Sequence, residues 1–151
     1  MESVELTSRS ASDTEQIAAE IASGLVPGDV VLVAGEVGTG KTTFVRGACR
    51  GLGVRDAVTS PSFTIGHTYG GRLPVSHIDL FRLASLEGED PALLADYLTP
   101  DAVAFIEWPE AAAPELEPDH VALRVMLEHL GGDDRALRAT GRRDLVERMP
   151  R

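Results

Sequence analysis

Lysine is almost missing from this chain: among fourteen basic residues Lys41 is the only lysine, and the rest are arginines. Cysteine is as rare. The single thiol, Cys49, excludes an intrachain disulfide and fits a reducing compartment. Aromatic residues make up 5% of the 151 positions, with one tryptophan, Trp108. No apolar run approaches the length of a membrane span, and the opening MESVELTSRS has neither the basic nor the apolar region of a signal peptide. A cytoplasmic protein with no membrane partner is therefore expected. Positive charge is scarce as well, with a net charge of −10. Residues 83–123 hold ten carboxylates and no Lys or Arg, whereas the rest of the chain balances fourteen acids against fourteen bases. A nucleic-acid binder needs a basic face to release counterions from phosphates, so DNA is not an expected partner and direct RNA binding is disfavoured. The acidic segment either keeps the protein solvated or docks on a basic protein surface.

What remains is an ordinary globular composition, 43% hydrophobic and 25% charged, enough for one domain over residues 1–151. VEL (4–6) reads as a short strand. SASDTEQIAAEIASGL (10–25) reads as a helix, opened by a capping box of Ser12 and Glu15 and carrying Ile17, Ala18, Ile21, Ala22 and Leu25 on one face. VVLVAG (30–35) is a continuous apolar run, as in a strand buried on both sides. A helix from about Lys41 carries Phe44, Val45, Ala48, Cys49 and Leu52, and ends near Gly51 and Gly53. The stretch 59–71 cannot be helix interior because of Pro61 and the glycines that follow. LPVSHIDLF (73–81) and AVAFIEW (102–108) read as strands separated by a helical DPALLADYL. HVALRVML and RALRAT read as an antiparallel pair, and RRDLVERM as a short final helix. The predicted class is α/β, with strands and helices alternating about a central mixed, mainly parallel sheet.

The pattern G-x-x-x-x-G-K-[ST] is met by Gly35, Gly40, Lys41 and Thr42, between a predicted strand and a predicted helix, so the expected α/β fold is a three-layer domain resembling the P-loop NTPases. Glycines let successive backbone N–H groups turn around an anion, and the helix start adds its unsatisfied N–H groups. Lys41 is expected to bridge β- and γ-phosphates and the Thr42 hydroxyl to bind Mg²⁺. A compact ammonium fits beneath a curled backbone where a forked guanidinium does not. That steric demand accounts for the lone lysine. No N-K-x-D guanine reader, no D-x-x-G and no L-S-G-G-Q follows the loop, and 83–123 lacks the arginines of a kinase lid. ATP hydrolysis is favoured over transfer to a metabolite, with a small-molecule kinase and a nucleotide-gated binding module as alternatives.

Two strand-end carboxylates compete to support the metal, Glu107 after AVAFI and Asp79 after VSHI. Trp108, beside Glu107, is placed either to fill the core or to cover the nucleotide. TSPSFT offers the hydroxyls of Thr59, Ser60, Ser62 and Thr64 around a fixed proline, as a loop that responds to a γ-phosphate would. His67, His77, His120 and His129 have no metal-ligand spacing. Arg46 or Arg82 is the available internal arginine finger; otherwise a partner completes the site.

GEVGTGKTTFVRG, SPSFT, HIDLFRL and IEWPE, in that order, resemble the TsaE (YjeE) family over about Asp13 to Glu110. The resemblance maps the phosphate loop onto Gly38, Thr39, Gly40, Lys41, Thr42 and Thr43, and the magnesium ligands onto Thr42 and Glu107. It maps an essential strand aspartate onto Asp79, a nucleotide-sensitive tryptophan onto Trp108 and an adenine-side segment onto Ala11 through Thr14. Ser62 and Phe81 stand where threonine and tyrosine are usual. The function implied is a weak, partner-dependent ATPase that binds ATP and Mg²⁺ and works with TsaB and TsaD in tRNA threonylcarbamoyladenosine synthesis. In that role it meets tRNA only through the complex and is not itself the transferase.

Overall fold

The run VVLVAG becomes the strand β2 (Val30–Gly35), and its alternation explains why every position is apolar: Val31 and Val33 face one core, Val30 and Leu32 another. In a computed structural model, residues 2–61, 65–81, 83, 89, 92–112, 116 and 118–149 are described. The other elements are β1 (Glu2–Ser8), α1 (Ala11–Ala22), α2 (Lys41–Gly51), β3 (Gly66–Tyr69), β4 (Val75–Asp79), α3 (Ala92–Ala95), β5 (Val103–Glu107), β6 (Val121–Gly131), β7 (Asp134–Gly141) and α4 (Arg143–Val146). The described strands form one seven-stranded sheet in the order β1-β7-β6-β2-β5-β4-β3. Its inner strands β6, β2, β5 and β4 are mutually parallel, and the marginal pairs β1–β7, β7–β6 and β4–β3 are antiparallel.

Helices α1 and α2 cover one face, burying Ile17, Ile21, Phe44 and Val45 against Val31, Val33 and Phe105. Burial of each such large side chain contributes about 1.5–3 kcal/mol. The opposite face packs Leu32, Ile78 and Ile106 against Leu80, Leu94 and Ala112. The expected three layers are present. Two glycines let α1 and α2 touch through their backbones: a Cβ on Gly47 would stand 2.3 Å from Glu15 O, and one on Gly51 2.7 Å from Ala19 O. Both contacts advance together along the chain, so the helices run parallel and the start of α1 lies level with the start of α2.

Several local expectations need correction. The cap of α1 is Ser10, not Ser12: the Ser10 hydroxyl accepts from Asp13 N at 3.0 Å, while Asp13 reaches back to Arg9 N at 3.1 Å. Ser10 is extended and Ser12 already helical, so only the former can turn its oxygen to the open amides. Strand β1 is longer than VEL because all seven residues pair with β7. Strand β3 lies within 59–71, where the sequence excluded helix without indicating strand. The hairpin strands β6 and β7 run through most of EHLGGDD, since Gly131 and Gly132 adopt the positive φ that a tight reversal needs. Of the ten carboxylates in 83–123, Glu107 is buried, while Glu89, Asp96, Asp101, Glu110 and Asp119 are exposed. Glu87, Asp90, Glu115 and Glu117 lie outside the described residues.

Candidate functional site

Parallel strands deliver their carboxyl ends to one edge of the sheet, and three sequence motifs meet there. Gly35 ends β2, Asp79 ends β4 and Glu107 ends β5, with Asp79 and Glu107 directly opposite in register. The sequence offered these two acids as competitors, whereas the fold sets them side by side. The loop 36–40 joins β2 to α2. Gly38 and Gly40 have φ of 80° and 100°, and a Cβ on Gly35 would lie 2.5 Å from Leu127 O and 2.7 Å from Thr39 Oγ1. Only glycine permits that closure. Thr39 is buried, and its hydroxyl donates to Glu36 O at 2.8 Å, pinning the loop to itself.

Lys41 folds back under this loop. Its Nζ donates to Gly35 O at 2.7 Å and Glu36 O at 2.8 Å, and lies 4.1 Å from the centre of the Trp108 ring. Burial lowers its pKa; Glu107, Asp79 and Glu110 oppose that fall by favouring the charged form. The indole reaches this position because Trp108 adopts φ 55°, ψ 57°, the one non-glycine positive φ among the described residues. A left-handed residue costs about 1–2 kcal/mol, and Pro109 behind it already disfavours the helical region. Strain here holds an aromatic over a cation. Phe81, 60% exposed, extends the aromatic rim with its ring centre 4.9 Å from that of Trp108.

Thr42 donates to both oxygens of Glu107, at 3.1 and 3.0 Å. Behind Glu107 stands His77, fully buried in β4, with Nε2 2.5 Å from Oε2. Among the described residues His77 Nδ1 has no hydrogen-bond partner, and Nε2 is the ring nitrogen that meets the carboxylate. Asp79 accepts from the Ser60 hydroxyl at 2.7 Å and from Phe81 N at 2.9 Å. Thr42, Asp79 and Glu107 line a cleft of about 460 Å³ together with Gly38, Gly40, Lys41, Thr43, Ser60 and Trp108, with His77 buried behind it.

Of the expected site residues, Gly38, Gly40, Lys41, Thr42, Thr43, Ser60, Asp79, Glu107 and Trp108 line this cleft. Thr39 supports it from beneath. Ala11 and Thr14 are not part of the lining: Ala11 is exposed at the start of α1, level with the start of α2, and the buried Thr14 bonds to Ser8 Oγ at 2.6 Å. Ser62 and Thr64 lie outside the described residues, as does Arg82. Arg46 points elsewhere, donating to Val58 O at 3.3 Å and pairing with Glu15. His77, read from the sequence only as a surface or satisfied core histidine, was not anticipated as a partner of Glu107, because nothing in sequence spacing marks a residue whose partner sits on the neighbouring strand.

A glycine cradle closed by a desolvated lysine fits a polyphosphate, and a hydroxyl paired with a carboxylate supplies the hard oxygen donors that Mg²⁺ prefers. Fold and site together define an α/β protein with a glycine-rich loop, closed by Lys41, at the carboxyl edge of its parallel strands. The chain belongs to the TsaE family: the family profile described as threonylcarbamoyl adenosine biosynthesis protein TsaE matches residues 8–137. It is 40% identical over 124 residues to the tRNA threonylcarbamoyladenosine biosynthesis protein TsaE of Treponema pallidum, covering 80% of this chain and 91% of that one. The protein of the same name from Bacillus subtilis is 36% identical over 129 residues, covering 85% and 79%. The crystal structure of Bacillus subtilis YdiB superposes with a TM-score of 0.78 at 28% identity, over 97% of this chain and 90% of the other. No described helix is long and apolar enough to cross a membrane.

Proposed function

We propose that this protein is a single-domain cytoplasmic ATPase that binds and hydrolyses Mg-ATP in support of TsaB and TsaD during threonylcarbamoylation of the adenosine beside the tRNA anticodon. The observation that carries the reading is the placement of Lys41, the Thr42–Glu107 pair and the Ser60–Asp79 pair around one cleft at the mouth of the glycine loop. Lys41 exchanges its carbonyl partners for β- and γ-phosphate oxygens. Thr42 and Glu107 would hold Mg²⁺, with His77 fixing the carboxylate through its Nε2 contact. Bound Mg²⁺ neutralises charge on the phosphate oxygens. Asp79, kept ready by Ser60 and the Phe81 amide, orients the attacking water at the γ-phosphate end. Stabilising charge where it spreads in the transition state is the main catalytic resource of such a site.

Arg46 is engaged at Val58 O and Glu15, away from the cleft. That favours slow turnover by the chain alone and completion of the site by a partner. The acidic surface accords with an accessory subunit that reaches tRNA through the complex. The test is phosphate release by the purified chain with and without TsaB–TsaD. Strong stimulation is expected. Turnover indifferent to partners but raised by a small acceptor would instead identify a kinase, and ATP-dependent partner binding without phosphate release a nucleotide-gated module.

A further inference from the structure

The glycine loop is gripped from outside the cleft by a hairpin that begins more than eighty residues later in the chain. His129 Nε2, on β6, lies 3.1 Å from Val37 O, and Arg135 Nη2, on β7, donates to Gly38 O at 3.1 Å. A carbonyl oxygen offers no proton, so the hydrogen in the first contact sits on His129. Arg135 is itself braced by donating from Nη1 to Gly132 O at 2.7 Å and Asp134 O at 2.8 Å, within the hairpin turn. Neither residue lines the cleft. Their hydrogen bonds to the loop are to its backbone, and His129 also borders the adjoining cavity beside Thr39 and Trp108.

The consequence follows from peptide planarity. In a trans peptide the C=O and the next N–H point in opposite directions, and no described peptide here is cis. Holding Val37 O toward the hairpin aims the Gly38 N–H away from it. Holding Gly38 O orients the Thr39 N–H, which closes the loop by donating to Glu36 O at 3.3 Å. Gly38, with φ of 80°, otherwise allows these two planes to rotate easily.

We infer that His129 and Arg135 are positioning residues for the anion seat: they set the Val37 and Gly38 peptide planes before nucleotide arrives and so tune its affinity through the loop backbone. The inference rests on the nucleotide-binding reading above. A seat ordered in advance loses less freedom on binding, which appears as tighter binding with no added ligand contact.

The experiment measures ADP affinity by calorimetry for the wild type, His129→Ala, Arg135→Gln and their double variant. His129→Gln serves as the donor-preserving variant and Arg138→Gln as the charge-matched control, because Arg138 pairs on the surface with Glu5. Each removal is expected to weaken binding about threefold to tenfold, and the double variant more than either. His129→Gln and Arg138→Gln should stay near wild type. The loss should persist between about 0.05 and 0.5 M salt, since a bulk charge effect would be screened away. In the nucleotide-free protein, amides 36–40 should exchange with solvent faster in the double variant. Unchanged affinity, an Arg135→Gln effect matched by Arg138→Gln, or a loss that vanishes in high salt overturns the inference. If the wild type binds no ADP, the nucleotide reading fails, and the exchange of the empty loop still decides whether the hairpin holds it.

Discussion

Thr42 and Glu107, 65 residues apart, form a three-oxygen cluster in which one hydroxyl donates to both carboxylate oxygens at 3.1 and 3.0 Å. Each group keeps the other in place, an arrangement that suits the Mg²⁺-holding role proposed for the pair. Glu107→Gln should therefore leave metal-free ADP binding within a few-fold of wild type and remove the strengthening that Mg²⁺ gives. Turnover should fall by about 10²–10³, the scale of losing one charge-stabilising group. Calorimetry with and without Mg²⁺ checks the first outcome, and phosphate release checks the second.

Lys41 carries a prediction in pH. Burial places its folded pKa below the unfolded value of 10.5. Between the two values the unfolded chain binds more protons, so the nucleotide-free protein gains stability as pH rises through that window and loses it as pH falls. Bound phosphates favour the charged ammonium and raise the pKa again. Nucleotide affinity should consequently be full below the lowered value and decline as pH climbs toward 10.5. Lys41→Ala should abolish nucleotide binding and the stability slope together, and ADP titrations and denaturant melts across alkaline pH would show both.

Asp79 separates binding from chemistry. Its carboxylate faces Ser60 and the Phe81 amide rather than Lys41. Asp79→Ala should retain ATP affinity within about threefold, yet lower turnover in the presence of TsaB–TsaD by about 10²–10⁴, as expected for a residue acting on the attacking water. Normal hydrolysis by this variant would remove Asp79 from the mechanism.

Far from the cleft, Arg142 ties α4 to the turn before β2. It donates to Asp29 at 2.8 and 3.1 Å, to Gly24 O at 3.2 Å and to Asp144 at 2.6 Å. Asp29 is largely buried and also accepts from Val26 N at 2.9 Å. Arg142→Ala leaves that carboxylate without its cation and should cost about 1–3 kcal/mol of stability, with nucleotide affinity unchanged. Paired denaturant melts and ADP titrations distinguish the two effects.

Gly47 tests the helix seam. A methyl group there meets Glu15 backbone atoms at 2.3 and 2.4 Å, which no side-chain rotation relieves. Gly47→Ala should lose about 1–3 kcal/mol or more, although alanine is the better helix former. A stability gain would show that α1 can move away freely.

The loop from Gly35 to Thr42 was legible because its residue types answer a local steric demand. Asp79 and Glu107 were recognisable one at a time, but their adjacency depends on β4 pairing with β5, and pairing is not written in either strand alone. Helix α1 was legible by its apolar period, while its cap was displaced from Ser12 to Ser10 because two serines and two acids offer overlapping capping patterns. The roles of His77, His129 and Arg135 could not be read from the sequence for a common reason. Each acts on a partner distant in sequence, and two of them bond to carbonyl oxygens, which every residue possesses.

Strand β2 takes both of its neighbours, β5 and β6, from the last third of the sequence, and β6 is held in turn by β7. During synthesis the glycine loop therefore leaves the ribosome long before anything exists to flank it. Assembly must wait for distant segments to meet, a topology that slows folding, and a nascent chain halted after Trp108 carries every residue of the cleft without a finished place to put them.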